Sequence, residues 1–172
     1  MNEKPSTAKI ALKWGAITGV ALMIFSTLLY VLDMSQNVGI SSFLYVILGG
    51  GLVLALREFK QLDNNYLSYS DGLGLGALTA AVAGLLSTLY SVIYTTLIDP
   101  GIMGRVVDKM RDNLEEQGTM SDEQIDQFVD NMQAFQSPGI QFVFGFLWLV
   151  FIGFIFSLVI AAVMRRNKPV FE

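Results

Sequence analysis

Carboxylates are the strongest candidates for acid, base or metal chemistry in this sequence, because it contains no histidine and no cysteine. That absence excludes imidazole bases, thiolate nucleophiles, disulfides and every metal site built from those residues. Two acidic pairs, Glu115-Glu116 and Asp122-Glu123, resemble catalytic carboxylate pairs in composition. Neighbours in a helix point in different directions, however. We therefore expect no catalytic residue and no enzyme activity.

The acidic stretch from residue 99 to residue 138 is also a candidate cation site. It lacks the alternating ligands and the glycine of a calcium-binding loop, so a solvated acidic face is the simpler interpretation. Its methionines at 103, 110 and 132 lie on apolar stripes, where they fill gaps in packing. Asp33 and Asp71 lie at the ends of apolar runs, as caps or boundary residues. We expect no metal, no cofactor and no ion-coupled transport.

Long uncharged runs must position these carboxylates. The 172 residues are 53% hydrophobic and 15% charged, with a mean hydropathy of +0.53, which is typical of an integral membrane protein. Four runs are long enough to cross a bilayer, at about 14–32, 40–56, 73–98 and 140–164. The sequence predicts an all-α membrane protein, a single membrane domain over residues 1–172 with four transmembrane helices. Its expected partner is the lipid bilayer, with no nucleic acid.

Residues 99–138, between the third and fourth spans, predict an amphipathic helical hairpin. Asp99-Pro100 is typical of a cap and first turn, Gly118 of a helix end, and Ser121 with Gln124 of a capping box. Ser137-Pro138-Gly139 ends the row of apolar residues on the second helix of the hairpin. The apolar positions expected to pack inside the hairpin are Val106, Met110, Leu114, Ile125, Phe128, Met132 and Phe135.

Basic residues predict the orientation. Eight fall on one side of the spans (Lys4, Lys9, Lys13, Arg57, Lys60, Arg165, Arg166 and Lys168) and three on the other (Arg105, Lys109 and Arg111). The positive-inside rule places both termini in the cytoplasm and the hairpin outside. The hairpin has nine carboxylates and a net charge of −6.

Small residues predict close contacts between the spans, because such residues let membrane helices approach each other. The candidates for helix packing are Gly15, Gly19, Gly49, Gly50, Gly51, Gly72, Gly76, Ala80, Gly84, Gly153, Ser157 and Ala161. The glycine triplet at 49–51 has two interpretations, a local hinge or close packing. The glycines lie mainly toward the cytoplasmic ends of the spans and bulky aromatics toward the outer ends. We expect an apolar outer mouth with the hairpin packed over it.

Three segments carry a family resemblance: YSDGLGLGALTAAVAGLLSTLYSVIYTTLIDP, EEQGTMSDEQIDQFVDNMQAFQSPG and FSLVIAAVMRRNK. They resemble bacterial inner-membrane proteins of domain of unknown function family 4199, over almost the whole chain. The resemblance implies no established activity. It also implies a weak link to lipid-linked sugar enzymes as partners, through polyprenyl-phosphate glycosyltransferases whose genes often lie near those of the family.

Two functions follow as hypotheses. The first is a non-catalytic scaffold or accessory subunit of the bacterial inner membrane, whose acidic extracytoplasmic hairpin contacts a membrane protein partner. The alternative is a small transporter or lipid-handling protein with an apolar cavity opening to the outer side. The sequence does not determine the oligomeric state, and a homo-oligomer is one of the states it allows.

Overall fold

Seven α-helices account for most of the residues that the structure describes. The structure is a computed structural model and describes residues 5–35, 37–134 and 137–166. The helices are α1 (Thr7–Val31), α2 (Val38–Ser41), α3 (Phe43–Leu62), α4 (Tyr69–Ile93), α5 (Ile102–Gln117), α6 (Asp122–Ala134) and α7 (Pro138–Met164), and a π-helical turn, Tyr94–Ile98, continues α4. Lys4, Phe135 and Lys168, which the sequence analysis used, lie outside the described residues.

Four helical segments are long and apolar enough to cross a membrane: Thr7–Val31, Val38–Leu62, Tyr69–Ile98 and Pro138–Met164. Three of them begin at a serine cap, since Ser6, Ser68 and Ser137 each accept a hydrogen bond from a backbone N–H three residues on. These helices extend beyond several of the uncharged runs in the sequence, because a helix continues into polar residues wherever its backbone hydrogen bonds continue.

Helix α4 lies at the centre of the bundle and contacts α1, α3 and α7. Half of its most apolar window is buried, whereas only 17% of the corresponding window of α7 is buried. The mean hydropathy of these windows is 1.7 in α4 and 2.8 in α7. The most hydrophobic helix is therefore the most peripheral one.

The end of the bundle opposite α5 and α6 is closed by large side chains. Phe59, Leu56 and Leu75 are fully buried there, in a cluster with residues of α1 and α7. Leu67 and Arg166 exchange two backbone hydrogen bonds of 2.8 and 2.9 Å, and Lys60 donates to the Met164 carbonyl at 2.9 Å. These bonds attach the end of α7 to the α3–α4 connection.

Helices α5 and α6 pack against each other and form what we call the acidic helix pair. Gly118 ends α5 in the left-handed conformation, with φ of 60°, as expected for a residue that lacks a Cβ atom. Ser121 and Gln124 exchange backbone-to-side-chain hydrogen bonds, which form a capping box at the start of α6. The chain thus reverses direction between the two helices.

Candidate functional site

Small residues bring α4 and α7 together in an antiparallel ladder. A Cβ atom added at Gly72 would lie 2.9 Å from the Cβ of Ala161, and one at Gly76 would lie 2.7 Å from the Cβ of Ser157. Real Cβ atoms do not approach so closely. The ladder continues every four residues, with Ala80 against Gly153, Gly84 against Leu149, and Thr88 against Gly145.

The glycines of α1 face α4. A Cβ atom at Gly15 would lie 2.5 Å from that of Val82, and one at Gly19 would lie 3.2 Å from that of Leu86. These side chains therefore pack directly on the backbone of α1.

The three glycines at 49–51 face different neighbours. A Cβ atom at Gly51 would lie 2.9 Å from that of Thr18, whereas Gly49 is only in ordinary contact range of Phe156 and Gly50 faces nothing within 4 Å. Helix α3 runs without interruption through all three glycines. Thr18 is 3% exposed, and its hydroxyl has no hydrogen-bond partner among the residues that the structure describes.

A cavity of about 220 Å³ opens between α1, α3, α4 and α7 at the α5–α6 end of the bundle. Leucines supply its apolar part, but hydroxyl groups converge on it from three helices. The polar lining residues are Ser26, Tyr30, Tyr45, Ser87, Thr88, Ser91 and Trp148. The sequence predicted an apolar mouth here, and most of the lining is apolar, but the prediction did not include the hydroxyl-bearing residues at helical spacing on α1 and α4 that turn toward the same space.

Hydrogen bonds order part of this lining. The hydroxyls of Tyr30 and Ser91 lie 2.9 Å apart, and the indole N–H of Trp148 donates to the Tyr45 hydroxyl at 3.1 Å. Thr88 donates to the Gly84 carbonyl at 2.5 Å, as hydroxyls within helices commonly do. No hydrogen bond joins Ser26 to a described residue. The cavity therefore presents both ordered and unused hydroxyl groups.

Two further spaces adjoin this cavity. A second cavity of about 250 Å³ shares Thr88, Ser91 and Gly145 with it and reaches Met103 of α5. A groove of about 870 Å³ runs along the outer face of α7 and shares Gly145 and Trp148 with the first cavity. The remaining groove residues are apolar, namely Ala77, Phe144, Leu147, Val150, Phe151 and Phe154.

The acidic helix pair carries most of the charge at this end. Arg111 pairs with Glu115 and with Asp126 of the other helix, and Arg105 pairs with Asp99 at 2.5 Å. The hydrogen bond from the Arg105 guanidinium lowers the pKa of Asp99 and, reciprocally, raises the pKa of Arg105. Within the described part of the chain, six exposed carboxylates have no ion pair: Asp108, Asp112, Glu116, Asp122, Glu123 and Asp130.

The pair touches the bundle mainly through the first turns of α5. Ile102 is 4% exposed, Met103 lines the second cavity, and Lys109 binds the carboxylate of Asp33 at 2.5 Å. The sequence predicted that the stripes pack against each other and also over the mouth. In the described residues, contact between the acidic helix pair and the bundle is concentrated at this first part of α5. Among the predicted stripe residues, Ile125 is buried, and Val106, Met110, Leu114, Phe128 and Met132 are half-buried.

Sequence reasoning missed the hydroxyl groups that converge at the cavity. Ser87, Thr88 and Ser91 recur at a helical spacing within an otherwise apolar span, and so do Ser26 and Tyr30. That spacing was the available signal. Among the described residues, no group of three or more Asp or Glu side chains is close enough to hold a metal ion.

The chain is thus an all-helical protein with four helices long and apolar enough to span a membrane. It belongs to the family described as protein of unknown function DUF4199, whose family model matches residues 13–166. No curated protein and no solved structure gives a significant match.

Proposed function

We propose that this protein is a non-catalytic accessory subunit of the bacterial inner membrane, and that its acidic helix pair docks a membrane protein partner outside the cytoplasm. One observation carries the proposal. Six exposed carboxylates of the pair have no ion pair among the described residues, although the three basic side chains of the pair are all engaged. Such an unneutralised surface favours a basic partner and accelerates its association.

The orientation follows from the basic residues. Arg57, Lys60, Arg165 and Arg166 lie at the end of the bundle opposite the acidic pair, as does Lys13, which binds Glu58 at 2.7 Å. The positive-inside rule makes that end cytoplasmic. The acidic pair then faces outward, and its charge opposes binding to anionic lipid headgroups.

Site-specific photocrosslinking tests this docking surface. A photoreactive phenylalanine analogue is placed at Glu116 or Asp130 on the acidic pair, and at Val163 as a control that is 79% exposed at the opposite end. We expect one discrete protein adduct from the two acidic-face positions, lost in high salt and after charge reversal of Asp122 and Glu123. Adducts to lipid alone, or the same protein adduct from Val163, would contradict the proposal.

The hydroxyl-lined cavity favours a second candidate function, the handling of a lipid. It lies inside the bundle beside a groove on the face of α7 that a bilayer would cover. Concave sites of this kind, apolar with a few convergent polar groups, are typical of ligand binding. Mass spectrometry of lipids retained after purification in mild detergent tests this function. A retained lipid composition identical to that of the surrounding membrane would contradict it.

A further inference from the structure

Asp33 occupies a position at the end of α1 where glycine is the usual residue. Its φ is 54°, in the left-handed region, and the N–H of Met34 donates to the Leu29 carbonyl at 2.9 Å, as in a Schellman motif. Asp33 also places a carboxylate at the negative end of the helix dipole, which is unfavourable. Glycine or asparagine would fit this geometry without the charge. The local structure of α1 therefore does not explain an aspartate here.

The partner that explains Asp33 lies on α5. The Lys109 ammonium donates to the Asp33 carboxylate at 2.5 Å and to the Asp33 backbone carbonyl at 3.2 Å. It thus places a positive charge at the end of α1, where the helix dipole favours a cation. The ion pair compensates the carboxylate, and it joins the acidic helix pair to the connection between α1 and α2.

Few other contacts hold the acidic helix pair against the bundle. Among the described residues, none from α5 or α6 belongs to the two apolar core clusters. Ile102 is buried at the base of α5, and Lys109 lies about 10 Å further along the same helix face. A space of about 410 Å³ lies between this part of α5 and the α1–α2 connection, and both Lys109 and Asp33 line it. The ion pair therefore borders an open space and is not part of a packed interface.

The connection between α4 and α5 provides a pivot. The π-helical turn Tyr94–Ile98 ends at Asp99, and α5 begins three residues later. The ion pair of Arg105 with Asp99 attaches the first turn of α5 to this connection, not to another helix of the bundle. Helices α5 and α6 pack on each other, so a rotation at residues 99–101 would carry both together.

We propose that the Lys109–Asp33 ion pair is a latch, which holds the acidic helix pair against the bundle and thereby sets the direction in which its carboxylates face. An exposed ion pair changes an equilibrium by at most about fivefold, which is small enough for a partner to reverse. As regulation of the docking surface, the latch rests on the proposed function. As a property of the fold, it has an independent test.

Double electron–electron resonance tests the latch in the intact chain in lipid nanodiscs. The chain has no native cysteine, so nitroxide labels at Gln117→Cys and Ile24→Cys report only on the tip of α5 and on α1. Both positions are exposed, Ile24 by 60%. Helix α5 is about 24 Å long, so a rotation of about 20° at its base displaces the tip by about 8 Å.

We expect Lys109→Gln and Asp33→Asn to raise the fraction of molecules with the displaced distance by up to about fivefold. Lys109→Arg keeps the cation and should keep the native distance. Arg111→Gln is the matched control, because it removes the same charge from α5 but breaks only ion pairs within the acidic helix pair. It should also keep the native distance.

Asp33→Gly separates a latch from a helix end. Glycine adopts the left-handed conformation without a steric cost, so the Tm of this variant should be no lower than that of Asp33→Asn. The displaced distance should nevertheless appear, since the ion pair is lost. Native distances in both Lys109→Gln and Asp33→Gly would overturn the latch and leave Asp33 as a helix end only. The same displacement in Arg111→Gln would overturn it too, because net charge alone would then explain the movement.

Photocrosslinking from Glu116 then tests the regulation of docking. In Lys109→Gln the yield of the protein adduct should fall in proportion to the fraction that keeps the native distance. An unchanged yield in a variant with a displaced helix pair would overturn the regulation. Absence of any protein adduct in the native chain would instead overturn the proposed function, and the distance measurement would still decide on the latch.

Discussion

Replacing Gly76 by alanine tests whether glycine sets the distance between α4 and α7. The new methyl carbon would lie 2.7 Å from the Cβ of Ser157 and would also collide with its hydroxyl. Ser157 is fully buried, and its hydroxyl donates to the Gly153 carbonyl at 2.6 Å. Rotating that hydroxyl away would break the hydrogen bond and would leave the Cβ contact in place.

The expected effect combines two opposing terms. Overpacking a buried contact typically costs about 1–3 kcal/mol, whereas alanine in place of a helical glycine gains about 0.5–1 kcal/mol. Gly74, two residues earlier on the same helix, has no atom within 4 Å of an added Cβ. Gly74→Ala therefore has the gain without the clash. The two variants should differ by the overpacking cost, about 1–3 kcal/mol in free energy of unfolding.

Reversible unfolding in mixed micelles, followed by circular dichroism as the fraction of denaturing detergent rises, measures both variants. The double variant Gly76→Ala with Ser157→Gly should recover most of the lost stability, since it removes the atoms that collide. The coupling energy in this cycle should be about 1–2 kcal/mol. The reasoning is refuted if Gly76→Ala is as stable as Gly74→Ala, or if Ser157→Gly gives no rescue.

The topology, the Asp99 ion pair and the glycine triplet each have a direct test. A cysteine at Gln117, in a chain with no native cysteine, should react with a membrane-impermeant maleimide in intact cells, and protection until lysis would reverse the orientation. Arg105 lowers the pKa of Asp99, so the stability from this pair is present above the ordinary pKa of aspartate and lost as pH falls through the lowered value. The difference in Tm between the native protein and Asp99→Asn should therefore begin to shrink below about pH 4 and vanish once the pH is below the lowered pKa of Asp99, and a constant difference in Tm would argue against the pair. Gly51→Ala should destabilise the protein in thermal unfolding while Gly50→Ala stabilises it by about 0.5–1 kcal/mol, and equal effects would show that the triplet is not packed asymmetrically.

The four helices that are long and apolar enough to cross a membrane were predictable, because hydrocarbon thickness sets a minimum length that an uncharged run shows directly. The exact first and last residues of the helices were harder to predict. Helix α1 already begins at Thr7 and includes Lys9 and Lys13, and α3 continues through Arg57 to Leu62. Charges end the apolar run but do not interrupt the backbone hydrogen bonds, so the two boundaries differ.

Which neighbouring helix each residue lies against could not be predicted from one sequence. Gly50 and Gly51 are adjacent and identical in type, yet only Gly51 lies against another helix. That difference depends on the rotation of α3 about its axis, which neighbouring helices determine. The cavity depends in the same way on the register of α4 against α7, which places Thr88 opposite Gly145. Composition and spacing contain no direct measure of either quantity.

The central position of α4 has a consequence for biogenesis. If α4 enters a membrane as it is synthesised, the face with Gly76 and Gly84 would meet lipid until α7 arrives. Helix α7 has the highest mean hydropathy of the four apolar helices, 2.8, and its arrival would cover that face. A nascent chain that stops before Pro138 would therefore leave the glycine-lined face of α4 without the helix that covers it.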